Sequence, residues 1–323
     1  MEMAINNNLL KKKILIFGAG VIGSVYGGLL AKSGHQVSIL ARGHRLSELK
    51  SKGLLLYNSA LRKPEDISIE VVDSTQVGSK YDFVFVALRY DQVDSALKTL
   101  SKIDTSCFVF MVNNPKGYEQ WTNELGYHRV LPAFPGAGGK IENGIVYYQI
   151  VSSLVQPTTL GELNGQQTQR LKDLKTILRR AGFNIAISKK MEAWQISHIA
   201  LIAPLAAVIY YDGGDNYSVS KNKKAISQMN LALKENLNFL IQSGIGVEPY
   251  KLRIIRFIPM IILTKIMRLV FATKWAETVI CNHALNAKGE MELINHHFIQ
   301  MAKGKGFYLK EFEKISANQN VSF

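Results

Sequence analysis

The N-terminal half of the chain alternates short apolar runs with segments of helical periodicity. KILIF (13–17) reads as a buried strand, Gly20 to Ser33 as a helix and QVSILA (36–41) as the next strand, with further strands predicted at ISIEVV (67–72), DFVFVAL (82–88) and CFVFMV (107–112). Helical patterns near 91–101 and 118–125 separate them. This alternation predicts an α/β Rossmann domain, a mostly parallel doubly wound sheet with its ligand edge at the carboxyl ends of the strands. After LPAFPGAGG (131–139), the runs GIVYYQIV and TTLGEL read as late strands and Gln166 to Ala181 as a helix. From about Lys189 onward the strand signal stops. Residues 190–211, 218–243, 250–271 and 275–303 all carry helical patterning, so the expected organisation is a Rossmann domain over 1–188 and an all-α domain over 189–323. The polar tail ISANQNVSF reads as frayed.

Composition narrows the setting. A chain of 323 residues, 47% hydrophobic and 20% charged, is long enough for about two cores. Cys107 and Cys281 lie far apart with no ligand-like cluster around them, which argues against a zinc site or disulfide framework and for a reducing, cytoplasmic setting. The net charge of +14 favours polyanions, whether nucleic acid, acidic membranes or phosphorylated cofactors. The basic residues are scattered apart from Lys11 to Lys13 and Lys221, Lys223 and Lys224, and no RNA-binding signature accompanies them, so no nucleic-acid partner is expected. Three apolar runs test for membrane insertion. Ile14 to Ala31 is broken by glycines, Ala193 to Tyr211 contains Gln195, His198 and Pro204, and FIPMIIL (257–263) is too short to span. No stable membrane insertion is expected, although the last run is bracketed by basic residues and suits contact with a membrane or a partner.

The strongest motif is GAGVIG, with Gly18, Gly20 and Gly23 between a buried strand and the start of a helix. The first glycine permits a tight turn, the second lets the backbone approach a pyrophosphate, and the third lets helix and strand pack closely. Gly18, Gly20, Val21, Ile22 and Gly23 are therefore the expected dinucleotide-binding turn. At the end of the second strand, where an NAD site carries Asp or Glu, the sequence is ILARGHR. Arg42, with Arg45 or His44, offers cationic donors to a ribose phosphate and favours NADP; the competing reading is a solvated basic loop.

GAGVIGSVYGGLLAKSGHQVSILAR resembles the opening of the ketopantoate reductase family, whose members reduce 2-dehydropantoate with NADPH. The similarity runs on through DFVFVALRYDQVDSAL, where Arg89 stands at a usual lysine, and VNNPKGYEQ, where Asn114 matches an asparagine associated with cofactor and substrate and Pro115 replaces a glycine. It covers most of the chain and is specific in the first 120 residues. The resemblance implies a Rossmann domain followed by a helical one, NADPH as cofactor, and a small carbonyl substrate reduced in the cleft between the domains. The apolar helix near 252–271 would then either cover the site or bury a homodimer interface.

In the helical half, the family carries a tryptophan, a proton-donating lysine two residues later, and asparagines four and eight residues beyond the lysine. Trp194 matches the tryptophan, but Ile196, Ala200 and Pro204 occupy the three polar positions; a one-residue shift gives Gln195, Ile199 and Ala203 and restores no lysine. His198 is a candidate acid near neutral pH. It points about 160° from position 200 on an ideal helix, and a buried histidine without chemistry competes with the catalytic reading. Lys189 and Lys190 precede the helix. In HALNAKGEMELIN, the EMELIN portion resembles the family's glutamate segment, which places Glu290 at the catalytic or hydroxyl-binding position. His283, Asn286 and Glu290 are spaced to share one face, as a binding stripe or a solvated one. Two functions follow: an NADPH-dependent oxidoreductase acting on a 2-keto acid or related carbonyl, or a catalytically silent NADP-binding sensor or interaction protein.

Overall fold

The alternating half folds around an eight-stranded sheet. The structure is a computed structural model that describes residues 11–73 and 80–317, the side chains of His283 and Asn286 excepted. In chain order its elements are β1 (Lys13–Phe17), α1 (Val21–Lys32), β2 (Gln36–Leu40), α2 (Gly43–Lys52), β3 (Leu54–Asn58), β4 (Lys63–Ile67), β5 (Glu70–Val72), β6 (Phe83–Val86), α3 (Tyr90–Leu100), β7 (Phe108–Met111), α4 (Glu119–Leu125), β8 (Val130–Phe134), β9 (Ala137–Glu142), β10 (Ile145–Ile150), β11 (Thr158–Leu160), α5 (Gln169–Arg180) and β12 (Ile185–Ile187). Strands β5-β2-β1-β6-β7-β8 are all parallel, in the order in which a doubly wound nucleotide fold places its six strands. β11 joins antiparallel to β8, and β12 lies parallel to β11 at the edge.

A second sheet, ordered β4-β3-β10-β9, departs from the sequence expectation. ISIEVV is not one strand. Ile67 closes β4 opposite Leu54, whereas Glu70 to Val72 form β5 beside β2 in the main sheet. Six residues thus serve two sheets, and their apolar spacing cannot name the partner of each half. The glycine-rich β9 also departs from its pattern, because its glycines read as turn signals. Gly139 instead crosses close to the neighbouring strand, where a Cβ would lie 1.9 Å from the Tyr147 carbonyl oxygen.

Helix α1 contacts strands of both sheets, which explains why it is apolar on every side. A Cβ on Gly27 would sit 3.0 Å from Ile16 Cγ1 in the main sheet, and one on Gly28 2.7 Å from Leu56 Cδ1 in the second. Tyr26, buried on the same helix, stacks on Phe183 at 4.1 Å, and its hydroxyl bonds Thr158 Oγ1 at 2.5 Å and accepts the Gly136 N–H at 3.0 Å. A buried ion pair closes the far edge. Arg170 Nη2 meets Glu162 Oε2 at 2.5 Å, the Glu162 side chain is only 5% exposed, and Arg170 also donates to the carbonyls of His128 and Val130. Arg170→Ala would leave that carboxylate buried without its cation, so urea denaturation should show a loss of about 3–5 kcal/mol. Adding Glu162→Gln should recover much of it; no recovery would mean that the guanidinium's carbonyl contacts carry the stability.

From residue 188 the chain is helical: α6 (Met191–Tyr211), α7 (Asn216–Lys221), α8 (Lys223–Gln242), α9 (Met260–Phe271), α10 (Lys274–Ala276), α11 (Asn282–Asn286), α12 (Lys288–Gly304) and α13 (Lys310–Ala317). Among the described residues α6 alone is long and apolar enough to cross a membrane, and most of it is buried within the protein. The pattern over 250–271 is not one helix. Tyr250–Phe257 wind as tight 3₁₀ turns, Ile258 is extended (ψ 125°), and α9 starts after Pro259. Proline disfavours helical geometry in the residue before it, so the chain breaks there. The tail also differs: Ile315 to Ala317 form the last turn of α13, with Ile315 buried, and residues 318–323 lie outside the described residues. Glu235 starts that helix by accepting the N–H groups of Glu311 and Phe312 at 2.9 and 3.0 Å.

Close contacts divide the chain into two units. One comprises 1–88, 92–112 and 119–187; the other comprises 188–323 together with 89–91 and 113–118, the short segments that follow β6 and β7.

Candidate active site

The glycine motif folds as its spacing requires. Gly18 leaves β1 with φ 115°, a conformation open to glycine, and a Cβ there would lie 2.6 Å from the Ala87 carbonyl oxygen. Gly23 packs even more tightly, since its Cβ would fall 1.8 Å from the Gly18 carbonyl oxygen. Around Gly20 no atom lies within 4 Å of a Cβ. Gly20 is the N-cap of α1, no side chain caps the first turn, no acidic residue occupies it, and the first backbone bond runs from Ser24 N to Gly20 O at 2.9 Å. The N–H groups of Val21, Ile22 and Gly23 therefore remain for an anion at the positive end of a 12-residue helix. Open space at Gly20 and free donors beside it fit the pyrophosphate of a dinucleotide.

The cations at the end of β2 separate into two roles. Arg42 is exposed at the N-cap of α2, and its guanidinium has no hydrogen bond or ion pair among the described residues. Arg45, expected beside it at a ribose phosphate, is committed to the protein. Its Nε donates to the Ala19 carbonyl at 3.2 Å, Nη2 to Ser24 Oγ at 3.3 Å, and Nη1 to Glu48 Oε2 at 2.5 Å and the Gly144 carbonyl at 3.3 Å. It braces the glycine turn from below. The sequence could not distinguish two arginines three residues apart, because their partners are remote in the chain.

The helical unit contains the second cluster. Glu290 is 8% exposed on α12 and accepts the Tyr90 backbone N–H through Oε1 at 2.9 Å. Seven residues later, and so on the same face, His297 Nδ1 bonds the Tyr90 hydroxyl at 3.0 Å, the two rings edge to face. Tyr90 is thereby held at both ends by one helix. The sequence marks His297 only by its two-turn spacing from Glu290. Burial raises the Glu290 carboxyl pKa above its ordinary value; the Tyr90 N–H opposes this, Asp91 adds to it and Arg89 opposes it. Arg89 is itself paired with Asp91, Nε to Oδ1 at 3.2 Å and Nη2 to Oδ2 at 3.0 Å.

Asn114, the other predicted ligand on these segments, shapes its own loop. Its Nδ2 donates to the Gly117 carbonyl at 2.5 Å, and its Oδ1 accepts the Lys116 N–H at 3.1 Å. The adjacent Asn113 is 7% exposed and its side chain has no hydrogen bond among the described residues, so both its amide N–H groups are uncommitted, whereas Asn114 has already used one. Tyr118 closes the segment by donating its hydroxyl to Gln195 Oε1 in a short bond.

On α6, His198 is half-buried and stacks flat on Trp194, with centroids 5.4 Å apart and planes 6° apart. No hydrogen bond joins it to Glu290. Ile196 and Ala200 are buried (4% and 0% exposed), as is Pro204, so that helix face packs into the core. The side chains of His283 and Asn286, predicted to share a face with Glu290, lie outside the described residues. Among the described residues no three or more His, Cys, Asp or Glu side chains form a metal site.

Comparison with known proteins places this arrangement. Residues 14–165 match the family described as ketopantoate reductase PanE/ApbA. A 2-dehydropantoate 2-reductase of Pyrococcus horikoshii is 26% identical over 251 residues, covering 75% of this chain and 78% of that protein. The structure of a 2-dehydropantoate 2-reductase from Geobacter metallireducens superposes with a TM-score of 0.76 over 95% of this chain and 98% of that one, at 15% identity. A ternary structure of D-mandelate dehydrogenase with NADH and anilino(oxo)acetate gives 0.73 over 95% and 97%, at 17% identity. The two superpositions speak for the fold, a Rossmann unit with a helical one. The sequence match adds the lineage over the glycine-turn half: residues 14–165 match the ketopantoate reductase family, and the relatives indicate an oxidoreductase that acts on a carbonyl group.

Proposed function

We propose that the chain is an NADPH-dependent reductase of a 2-keto acid or related carbonyl compound, with Glu290 as the proton donor to the carbonyl oxygen. The observation that carries this reading is the Glu290 carboxyl itself: buried, raised in pKa, and held through one oxygen by Tyr90 N–H, with no partner for Oε2 among the described residues. A carboxyl so placed retains its proton at higher pH than an exposed one and can deliver it where negative charge develops. The bound nicotinamide would supply the hydride. The chain's own residues do the rest. The α1 N–H groups bind the pyrophosphate, Gly20 leaves room for it, and Arg42 pairs with the ribose phosphate. Ile196, Ala200 and Pro204 offer no polar side chain to ketopantoate's hydroxyl, which favours a less polar keto acid as substrate. His198 is the competing donor, and its test is His198→Ala: loss of turnover comparable to that of a Glu290 variant would transfer the role to it.

The first experiment is a fluorescence titration with NADPH, followed in the same cuvette by ketopantoate and then a panel of other 2-keto acids. Turnover supports the proposal. Tight binding without turnover across the panel favours the silent NADP-binding protein, a reading motivated by the missing lysine at position 196. Absence of NADPH binding overturns both.

Arg42 carries the choice of NADPH over NADH. A hydrogen bond to a charged group contributes about 1.5–3 kcal/mol, so Arg42→Ala should raise the KM for NADPH by roughly 10- to 100-fold while leaving that for NADH nearly unchanged. Equal weakening toward both cofactors would remove Arg42 from the ribose phosphate.

A further inference from the structure

Residues 249–276 contain no Asp or Glu and six cations: Lys251, Arg253, Arg256, Lys265, Arg268 and Lys274. The same stretch exposes large apolar side chains. Phe257 is 76% exposed, Ile261 72% and Leu269 73%, with Ile254 and Ile262 also exposed. Folded chains seldom leave so many aliphatic and aromatic groups together in water without a use for them.

The inner face of α9 is anchored. Leu263, Thr264 and Phe271 are buried, and Asn230 of α8 donates to Thr264 Oγ1 at 3.2 Å, so the outward residues cannot rotate inward. On the outward face Ile261, Lys265 and Leu269 follow one another at four-residue steps. Lys265 is exposed and has no partner among the described residues. Flanking cations are held in position: Arg256 donates to Asn238 Oδ1 and Arg268 to the Ser220 carbonyl.

We propose that residues 250–271 form a peripheral docking surface for an anionic lipid bilayer, with Phe257, Ile261 and Leu269 entering the headgroup boundary and the cations meeting lipid phosphates. Charge selects this occupant. A two-fold contact between copies would set the patch against itself, bringing its cations together with no carboxylate from the stretch to balance them. A surface of anionic headgroups complements them, at about 1 kcal/mol per basic residue close to the membrane. The geometry also sets the mode. Twelve helical residues extend about 18 Å, short of the roughly 30 Å hydrocarbon core, and Pro259 prevents continuation into the preceding turns, so α9 lies in the interface plane rather than across it.

The test is co-sedimentation of the full chain with vesicles of phosphatidylcholine alone and of phosphatidylcholine containing roughly 30 mol % phosphatidylglycerol, at low and high salt. The wild type should pellet with the anionic vesicles and remain in solution with the neutral ones, with binding weakened by salt. Phe257→Ser/Leu269→Ser should reduce partitioning by about tenfold or more, and Lys265→Glu by about fivefold or more, with circular dichroism and NADPH affinity unchanged. The proposal is overturned if the wild type stays in the supernatant, or if the double variant pellets as the wild type does. It is equally overturned if gel filtration shows a dimer that the double variant converts to monomer, which would assign the face to a second copy.

Discussion

Glu290→Gln is expected to reduce turnover by about 100- to 10,000-fold while leaving the melting temperature unchanged or raised. The amide oxygen can still accept the Tyr90 N–H now held at 2.9 Å, so the start of α3 keeps its partner and only the transferable proton is lost. The stability half has a definite sign. The folded carboxyl has a pKa above its unfolded value of about 4.3, so its contribution to stability is fully present below that value. That contribution is lost as pH rises through the folded pKa, because the carboxylate is then ionised in a buried site. Glutamine does not ionise and loses nothing over that window, so the gap in melting temperature should widen in its favour with rising pH. Turnover by the wild type should fall over the same rise as the proton donor empties, and the glutamine variant should lack that limb. Undiminished turnover in Glu290→Gln would end its role as donor, whatever the stability curve shows.

Gly20 and Gly23, three residues apart, should fail in different ways. At Gly23 an added methyl would sit 1.8 Å from the Gly18 carbonyl oxygen and 3.0 Å from Ile16 Cγ2, so Gly23→Ala must open the turn or displace α1 from β1. Such overpacking costs about 1–3 kcal/mol or more, and both the melting temperature and NADPH affinity should fall sharply. At Gly20 nothing lies within 4 Å and φ is −71°, a value alanine adopts without strain. Gly20→Ala should therefore fold with its melting temperature intact and weaken NADPH by about tenfold or more, because the methyl fills space that the phosphates need. Calorimetry beside the binding titration separates the cases. Unaltered affinity in Gly20→Ala would place the pyrophosphate elsewhere, and an unshifted melting temperature in Gly23→Ala would contradict the close packing of Gly23 on Gly18.

The sequence by itself determined what is local. GAGVIG was legible because turn, helix start and close packing all depend on six consecutive residues, and the parallel core was legible because β1, β6 and β7 are buried on both faces and read as unbroken apolar runs. The acid-free basic stretch and the glutamate segment were equally plain. Tertiary structure alone decided whatever depends on a remote partner. It split ISIEVV between two sheets and made a strand of the glycines in β9. It committed Arg45 to the protein while leaving the Arg42 side chain without a partner among the described residues, and turned Asn114 inward on its own loop. It also placed Glu290 against Tyr90, 200 positions away in the chain, with His297 on the other end of that tyrosine. In each case residue type was the visible quantity and hydrogen-bond commitment the deciding one. A side chain's capacity to bind is written in its chemistry, but whether that capacity is already spent depends on neighbours that only the folded chain brings together.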